Sequence, residues 1–111
     1  MANNYQPFKS NAVGTSWVTV YTSPSGKKSL LTSVKLSNVT EGNVNVSARI
    51  LDSSDSDAPT RLGNSIPVLV GQLVEMIDSG KVVLASGDQF QIQSSVGASV
   101  DVWGTAIEDV S

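Results

Sequence analysis

The one acidic cluster in this 111-residue chain is Asp52-Ser53-Ser54-Asp55-Ser56-Asp57. Hard cations such as Ca²⁺ need several oxygens converging at about 2.3–2.6 Å. Asp55 and Asp57 have alternate spacing, and Asp52 could close from the side. The run lacks the glycine and distal glutamate of an EF-hand loop, so it reads as a solvated loop. Glycoside hydrolysis needs two carboxyls about 5–10 Å apart in a cleft. Glu75, Asp78, Asp88 and Asp101 fall near strand ends, and no spacing selects a pair. Asp88 follows Gly87 and is expected to bond turn amides.

The chain contains no histidine and no cysteine. Histidine is the common general base near neutral pH, and cysteine the readiest nucleophile and soft ligand. Serines are numerous, but none sits in Gly-x-Ser-x-Gly. The glycines at 63, 71, 80, 87 and 97 fall at turn positions and make no phosphate-cradling loop. No catalytic group, metal centre or cofactor site is expected, and the chain reads as a non-enzyme.

Six aromatic residues remain as candidates for contact rather than chemistry. Tyr5 and Phe8 lie in a polar N-terminal stretch, where they are expected to anchor an extended arm on a neighbour. Trp17 and Trp103 are the other two candidate interface residues. Trp103, beside Gly104, is expected half-buried at a rim or at an intersubunit contact. If the chain bound carbohydrate instead, exposed Trp17, Tyr21 or Trp103 would form the stacking platform.

The elements that must carry these residues read as strands. Charged residues are only 15% of the chain and aromatic residues 5%, so the core must be built from Val, Leu and Ile. β-branched side chains suit a pleated, half-buried surface. Residues 1–14 show no period and are expected to form the arm. From Thr15 the period is two. Val18 and Val20 alternate with Trp17, Thr19 and Tyr21. Leu30, Thr32, Val34 and Leu36 alternate with Ser33, Lys35 and Ser37. Val44, Val46, Ala48 and Ile50 make the cleanest row, and this strand is expected to pair with the one before it as a hairpin. Residues 52–64 are expected to be a loop long enough to cross between sheets. Strands resume at Ile66–Val70, Leu73–Asp78, Val82–Leu84, Phe90–Ile92 and Val100–Ile107.

About eight short strands with a turn roughly every 8–12 residues predict an all-β fold: a single antiparallel β-sandwich, jelly-roll or Ig-like. The domain expectation is an arm at 1–14 and a sandwich at 15–111. Gly104 should mark a bulge or a close backbone approach. The sequons at Asn38 and Asn45 fall in strand-like sequence and are expected to be accidental.

A net charge of −3 and one basic doublet, Lys27-Lys28, argue against direct nucleic-acid binding. No apolar run approaches the roughly 18 residues needed to cross a bilayer, and no signal peptide is visible, so a membrane partner is not expected.

Three blocks carry a family resemblance. They are Leu31–Thr40 with Val44–Asp52, Ser65–Val68 with Gly71–Glu75, and Lys81–Ser94. From Leu30 to Glu108 the chain resembles small virion structural proteins of tailed bacteriophages. The resemblance implies a noncatalytic particle component, made in the host cytoplasm and located in the virion. A capsid decoration (cement) protein that stabilises the head fits best. Neck, tail or fibre-attachment positions are alternatives, as is a carbohydrate- or surface-binding module. The implied partners are the major capsid protein or other virion proteins, and further copies of the chain in a homo-oligomer.

Overall fold

The computed structural model describes residues 4–53, 56, 58–76 and 82–108. Among them are nine strands and no helix. In chain order these are β1 (Asn4–Val13), β2 (Val18–Thr22), β3 (Ser29–Asn38), β4 (Val44–Asp52) and β5 (Ala58–Val68), then β6 (Leu73–Glu75), β7 (Val82–Leu84), β8 (Gln89–Ser94) and β9 (Val100–Glu108). They form two antiparallel sheets. One is five-stranded, in the order β1-β9-β3-β6, with β7 also paired to β3; the other is four-stranded, β2-β8-β4-β5.

The pairing is nested. β4 pairs β5, β3 pairs β6, β2 pairs β8 and β1 pairs β9, so the chain doubles back on itself about the β4–β5 turn. Both sheets contribute to one apolar core. Leu31, Val34, Leu36, Val102 and Ala106 face Val46, Ala48, Phe90 and Ile92 within it. Phe8 of the first sheet meets Phe90 of the second edge-on, with ring centroids 6.3 Å apart.

Alternation explains which faces are buried. β8 alternates perfectly, burying Phe90, Ile92 and Ser94 while Gln89, Gln91 and Gln93 point outward. β9 buries Val100, Val102, Gly104 and Ala106, as expected. In β4 the expected row Val44, Val46 and Ala48 is buried and Ile50 packs against the core.

Five expectations need correction. Residues 4–13 are not free of the domain: β1 is an edge strand paired with β9 along its length. Phe8 and Val13 are buried in the core, so the segment is held by apolar contact as well as by its ladder. In β3 a bulge falls between Leu31 and Ser33. A bulge shifts the facing of the residues beyond it by one. Leu31 therefore enters the core with Val34 and Leu36, and Leu30 joins the outer face. β3 and β4 are not a hairpin but lie in opposite sheets. Asn38 shapes the corner between them: its amide donates to the carbonyls of Gly42 and Val68, while its Oδ1 accepts from the backbone and hydroxyl of Thr40. Residues 58–64 are strand rather than loop, because β5 pairs β4 from Ala58 onward in the same sheet. Finally, the strand count among the described residues is nine rather than about eight.

Gly104 is a close approach, as its position suggested. It lies opposite Phe8 in the β1–β9 register. A Cβ there would collide with the Phe8 ring and come within 2.8 Å of the Ser33 carbonyl oxygen.

Candidate functional site

The outer face of the five-stranded sheet collects the most conspicuous side chains. Its pairings set out rows that run across the strands. One row is Tyr5 (β1), Ile107 (β9), Leu30 (β3) and Val83 (β7). A second is Lys9, Trp103, Lys35 and Glu75 on β1, β9, β3 and β6. Beyond it lie Asp101, Ser37 and Leu73. Eight large apolar side chains are exposed among the described residues, and four of them, Tyr5, Leu73, Val83 and Trp103, stand on this face. The other four, Val39, Leu69, Val70 and Val96, sit on the turns at one end of the sheets.

Trp103 is 53% exposed, half-buried as expected, but it stands on an interior strand of the sheet rather than at a rim. It rises between two hollows. One, of about 300 Å³, is bounded by Asn11, Lys35, Leu73 and Asp101; the other, of about 200 Å³, by Pro7 and Lys9. The face is fixed in place around it. The Asp101 carboxylate accepts from the Ala12 amide, which holds the bulge at the end of β1. Glu75 Oε1 accepts from the Ser33 hydroxyl at 2.9 Å. Glu75 Oε2 is shielded from solvent and has no hydrogen-bond partner among the described residues.

The outer face of the four-stranded sheet is chemically different. It presents Gln89, Gln91 and Gln93 beside Thr19, Asn45 and Ser47. Arg49 and Arg61 are direct cross-strand partners, a repulsive placement. Trp17 relieves it, because both guanidiniums lie over its ring, 4.1 and 5.0 Å from the centroid. A hollow of about 430 Å³ on this side is lined by polar residues, including Thr15, Ser47, Arg61 and Gln93.

The four residues singled out from sequence are thus dispersed. Tyr5 and Trp103 share the first face, with Tyr5 70% exposed. Phe8 is in the core, its ring 5.4 Å from that of Tyr21. Trp17 belongs to the opposite side, with the arginines. Trp17, Tyr21 and Trp103 do not form a common stacking platform. Tyr21 is half-buried, and its hydroxyl donates to Glu108 Oε2 at 2.6 Å.

That hydroxyl begins a polar chain that the sequence did not announce. Tyr21 also contacts Ser29 Oγ, which contacts Ser23 Oγ, which donates to the Lys27 carbonyl. The phenol O–H is spent on Glu108, so Ser29 must donate to Tyr21. Ser23 then has one proton for two acceptors. Burial and the Glu108 carboxylate push the Tyr21 phenol up to about 12. Its signal in the sequence was only an aromatic on an otherwise outward-facing parity.

Asp88 behaves as expected of a turn carboxylate. Its Oδ1 accepts from the backbone and hydroxyl of Ser53 and its Oδ2 from the Ala85 amide. It therefore ties the end of β4 to the β7–β8 turn. Of the acidic cluster, Asp55 and Asp57 lie outside the described residues. Among the described residues no group of three or more acids converges as a cation site, and no helix is long and apolar enough to cross a membrane. Asn38 spends its side-chain amide on two carbonyls inside the fold, so the first sequon is committed to structure.

No family model and no curated protein matches the chain. A solved structure does. It is a chain from Bacillus described under "Bacillus endospore appendages form a novel family of disulfide-linked pili", 12% identical, with a TM-score of 0.60, covering 98% of this chain and 87% of that one. At that identity the likeness is one of fold.

Proposed function

We propose that this chain is a noncatalytic structural subunit of a larger particle, and that the particle is a phage virion in which it acts as a capsid decoration protein. The observation that carries the reading is the uneven distribution of apolar surface. One sheet face gathers Tyr5, Leu73, Val83 and Trp103 in the open, whereas the other is hydroxyl- and amide-rich. Exposed apolar clusters with a polar surround mark interaction surfaces. The nested strand pairing supports a jelly-roll sandwich, an architecture found in viral capsid domains. The fold neighbour comes from a pilus, itself an assembly. Covalent linkage of the kind named for that pilus is not open to these 111 residues, which contain no cysteine. Any assembly they build must be held by something other than disulfides. The virion itself is inferred from the resemblance of the β3–β4, β5–β6 and β7–β8 blocks to tailed-phage proteins.

The two long free edges favour contact through faces. β1 and β5 are outermost strands of ten and eleven residues. Pro7 interrupts the first, and Pro59 and Pro67 the second. Proline has no N–H to offer an incoming strand, and prolines on edges are a known guard against edge-to-edge pairing.

The test is to raise antibody against the purified chain and apply it to purified virions, with mass spectrometry of the same particles. Gold label on the head surface, with peptides at a stoichiometric level, is the expected result. Label at the neck, tail or fibre base keeps the structural role and moves its place. Absence of the chain from washed particles overturns the virion reading.

A further inference from the structure

We infer that the outer face of the five-stranded sheet is a self-complementary dimer interface whose partner is a second copy of this chain. The order of side chains in the rows is nearly palindromic in character across the sheet. Two sheets meeting face to face through a two-fold axis must have that axis in the plane between them. Let the axis run along the strands, between β9 and β3. The row Lys9–Trp103–Lys35–Glu75 is then reversed over itself. Lys9 comes over Glu75 of the second copy, whose Oε2 is turned inward and whose Oε1 already accepts from Ser33, so only Oε1 is left for the ammonium; Trp103 comes over its Lys35, and both contacts occur twice. Each charge on the row finds an opposite charge or a π face.

The neighbouring row behaves in the same way. Tyr5–Ile107–Leu30–Val83 reversed over itself places Tyr5 on Val83 and Ile107 on Leu30. It is apolar on apolar at every position. The hollows beside Trp103 provide depressions for the side chains of the opposing copy. In these two rows charge order and hydrophobic order are satisfied by the same operation, while in the third Asp101 comes over Ser37 and Leu73 over the polar end of β1. An arbitrary neutral face has no reason to satisfy both.

Size is compatible. Three strands of about nine residues, with the three-residue β6 and β7 beside them, at about 4.8 Å spacing and about 3.4 Å per residue, give roughly 550 Å² per copy. Two copies bury about 1,100 Å², near the upper end of the range of weak, transient interfaces. A micromolar dimer is therefore expected, because area of this order does not by itself give tight binding. The inference deepens the assembly reading and is tested without any particle, so the chain's absence from virions would leave its outcome intact.

The absence of native cysteine makes the test clean. Tyr5 and Val83 are both well exposed, so Tyr5→Cys and Val83→Cys leave the core alone. Within one chain they are separated by β9 and β3, roughly three strand spacings or about 14 Å, too far for a bridge. Sheets packed face to face lie about 10 Å apart, so a mixture of the two variants treated with a bis-maleimide of about 8–10 Å span should give a covalent dimer, and each alone should give at most a small fraction of it. Sedimentation velocity of the unaltered chain across about 1–300 µM, bracketing that micromolar range, should show monomer passing to dimer. Trp103→Ala, with an unchanged melting temperature at low concentration, should weaken the dimer at least tenfold. Three results would overturn the inference: monomer at every concentration, which leaves the face to a different partner; equal cross-linking of either variant alone; or a dimer indifferent to Trp103→Ala.

Discussion

Gly104→Ala and Phe8→Ala should each be severely destabilising, and together scarcely worse than either alone. The structure sets the magnitudes. Phe8 is only 8% exposed and lies over Gly104. A methyl at residue 104 occupies space now filled by the ring, so the ring must leave. Expelling a buried phenylalanine costs about 2–3 kcal/mol in lost burial. Its contacts with Tyr21 at 5.4 Å and Phe90 at 6.3 Å go with it, at about 0.5–1.5 kcal/mol each. The Ser33 carbonyl, 2.8 Å from the new methyl, belongs to the adjoining strand and yields little. Gly104→Ala should thus cost about 3–6 kcal/mol. Phe8→Ala leaves a cavity and should cost about 3–5 kcal/mol as well. In the double variant the ring is gone and the methyl enters the vacated space, so Gly104→Ala should then add only about 1 kcal/mol. Urea unfolding followed by tryptophan fluorescence, at a concentration where the chain is monomeric, gives the three values. A non-additivity of about 2–5 kcal/mol is expected. Additivity within about 0.5 kcal/mol, the behaviour of independent sites, would refute the packing of β1 on β9 and return residues 4–13 to a detached arm.

Other perturbations address the polar devices. In a Tyr5→Phe background, the phenolate absorbance should rise with a midpoint near 12, since burial and then Glu108 oppose ionisation of Tyr21. Its folded value lies above the free value of 10.0, so its contribution to stability is complete below about pH 10 and drains away as pH rises through about 12; unfolding midpoints that stay flat across that window would contradict it. Asp88→Ala removes the acceptor of three hydrogen bonds and should cost about 2–4 kcal/mol. Asp88→Asn, which keeps one acceptor oxygen, should cost about half as much, and faster amide exchange at Ser53 and Ala85 should accompany both. Trp17→Ala exposes the Arg49–Arg61 pair and should cost about 1–2 kcal/mol. Part of that penalty should vanish when salt is raised to about 0.5 M, because screening weakens the repulsion.

The two-sheet, all-β architecture was legible because most strands keep a strict period of two. β4, β8 and β9 could be read residue by residue from valine, isoleucine and phenylalanine positions. What failed has local causes. β1 shows no alternation because it is an edge strand with a proline and a bulge, and its apolar anchor is a single phenylalanine. The slot for that phenylalanine is a glycine far along the chain, and no local pattern links the two. Residues 58–64 hold Pro, Thr, Arg, Gly and Asn, which read as loop; they are strand because β4 beside them supplies the ladder and the core side chains. The candidate face was half legible. Trp103 and Tyr5 were singled out from sequence, but their neighbours were not, because rows across strands depend on pairings between distant segments. The bulge in β3 is the instructive error. A strict alternation would have put Leu30 in the core and left the outer row broken between Ile107 and Val83. The extra residue sends Leu31 inward and Leu30 outward, which completes an outer apolar row, exposed at Tyr5 and Val83 and partly buried at Ile107 and Leu30, at the expense of local regularity. Departures from local consistency tend to gather where a surface has work beyond folding. This one falls in the middle of the face that the charge order also marks.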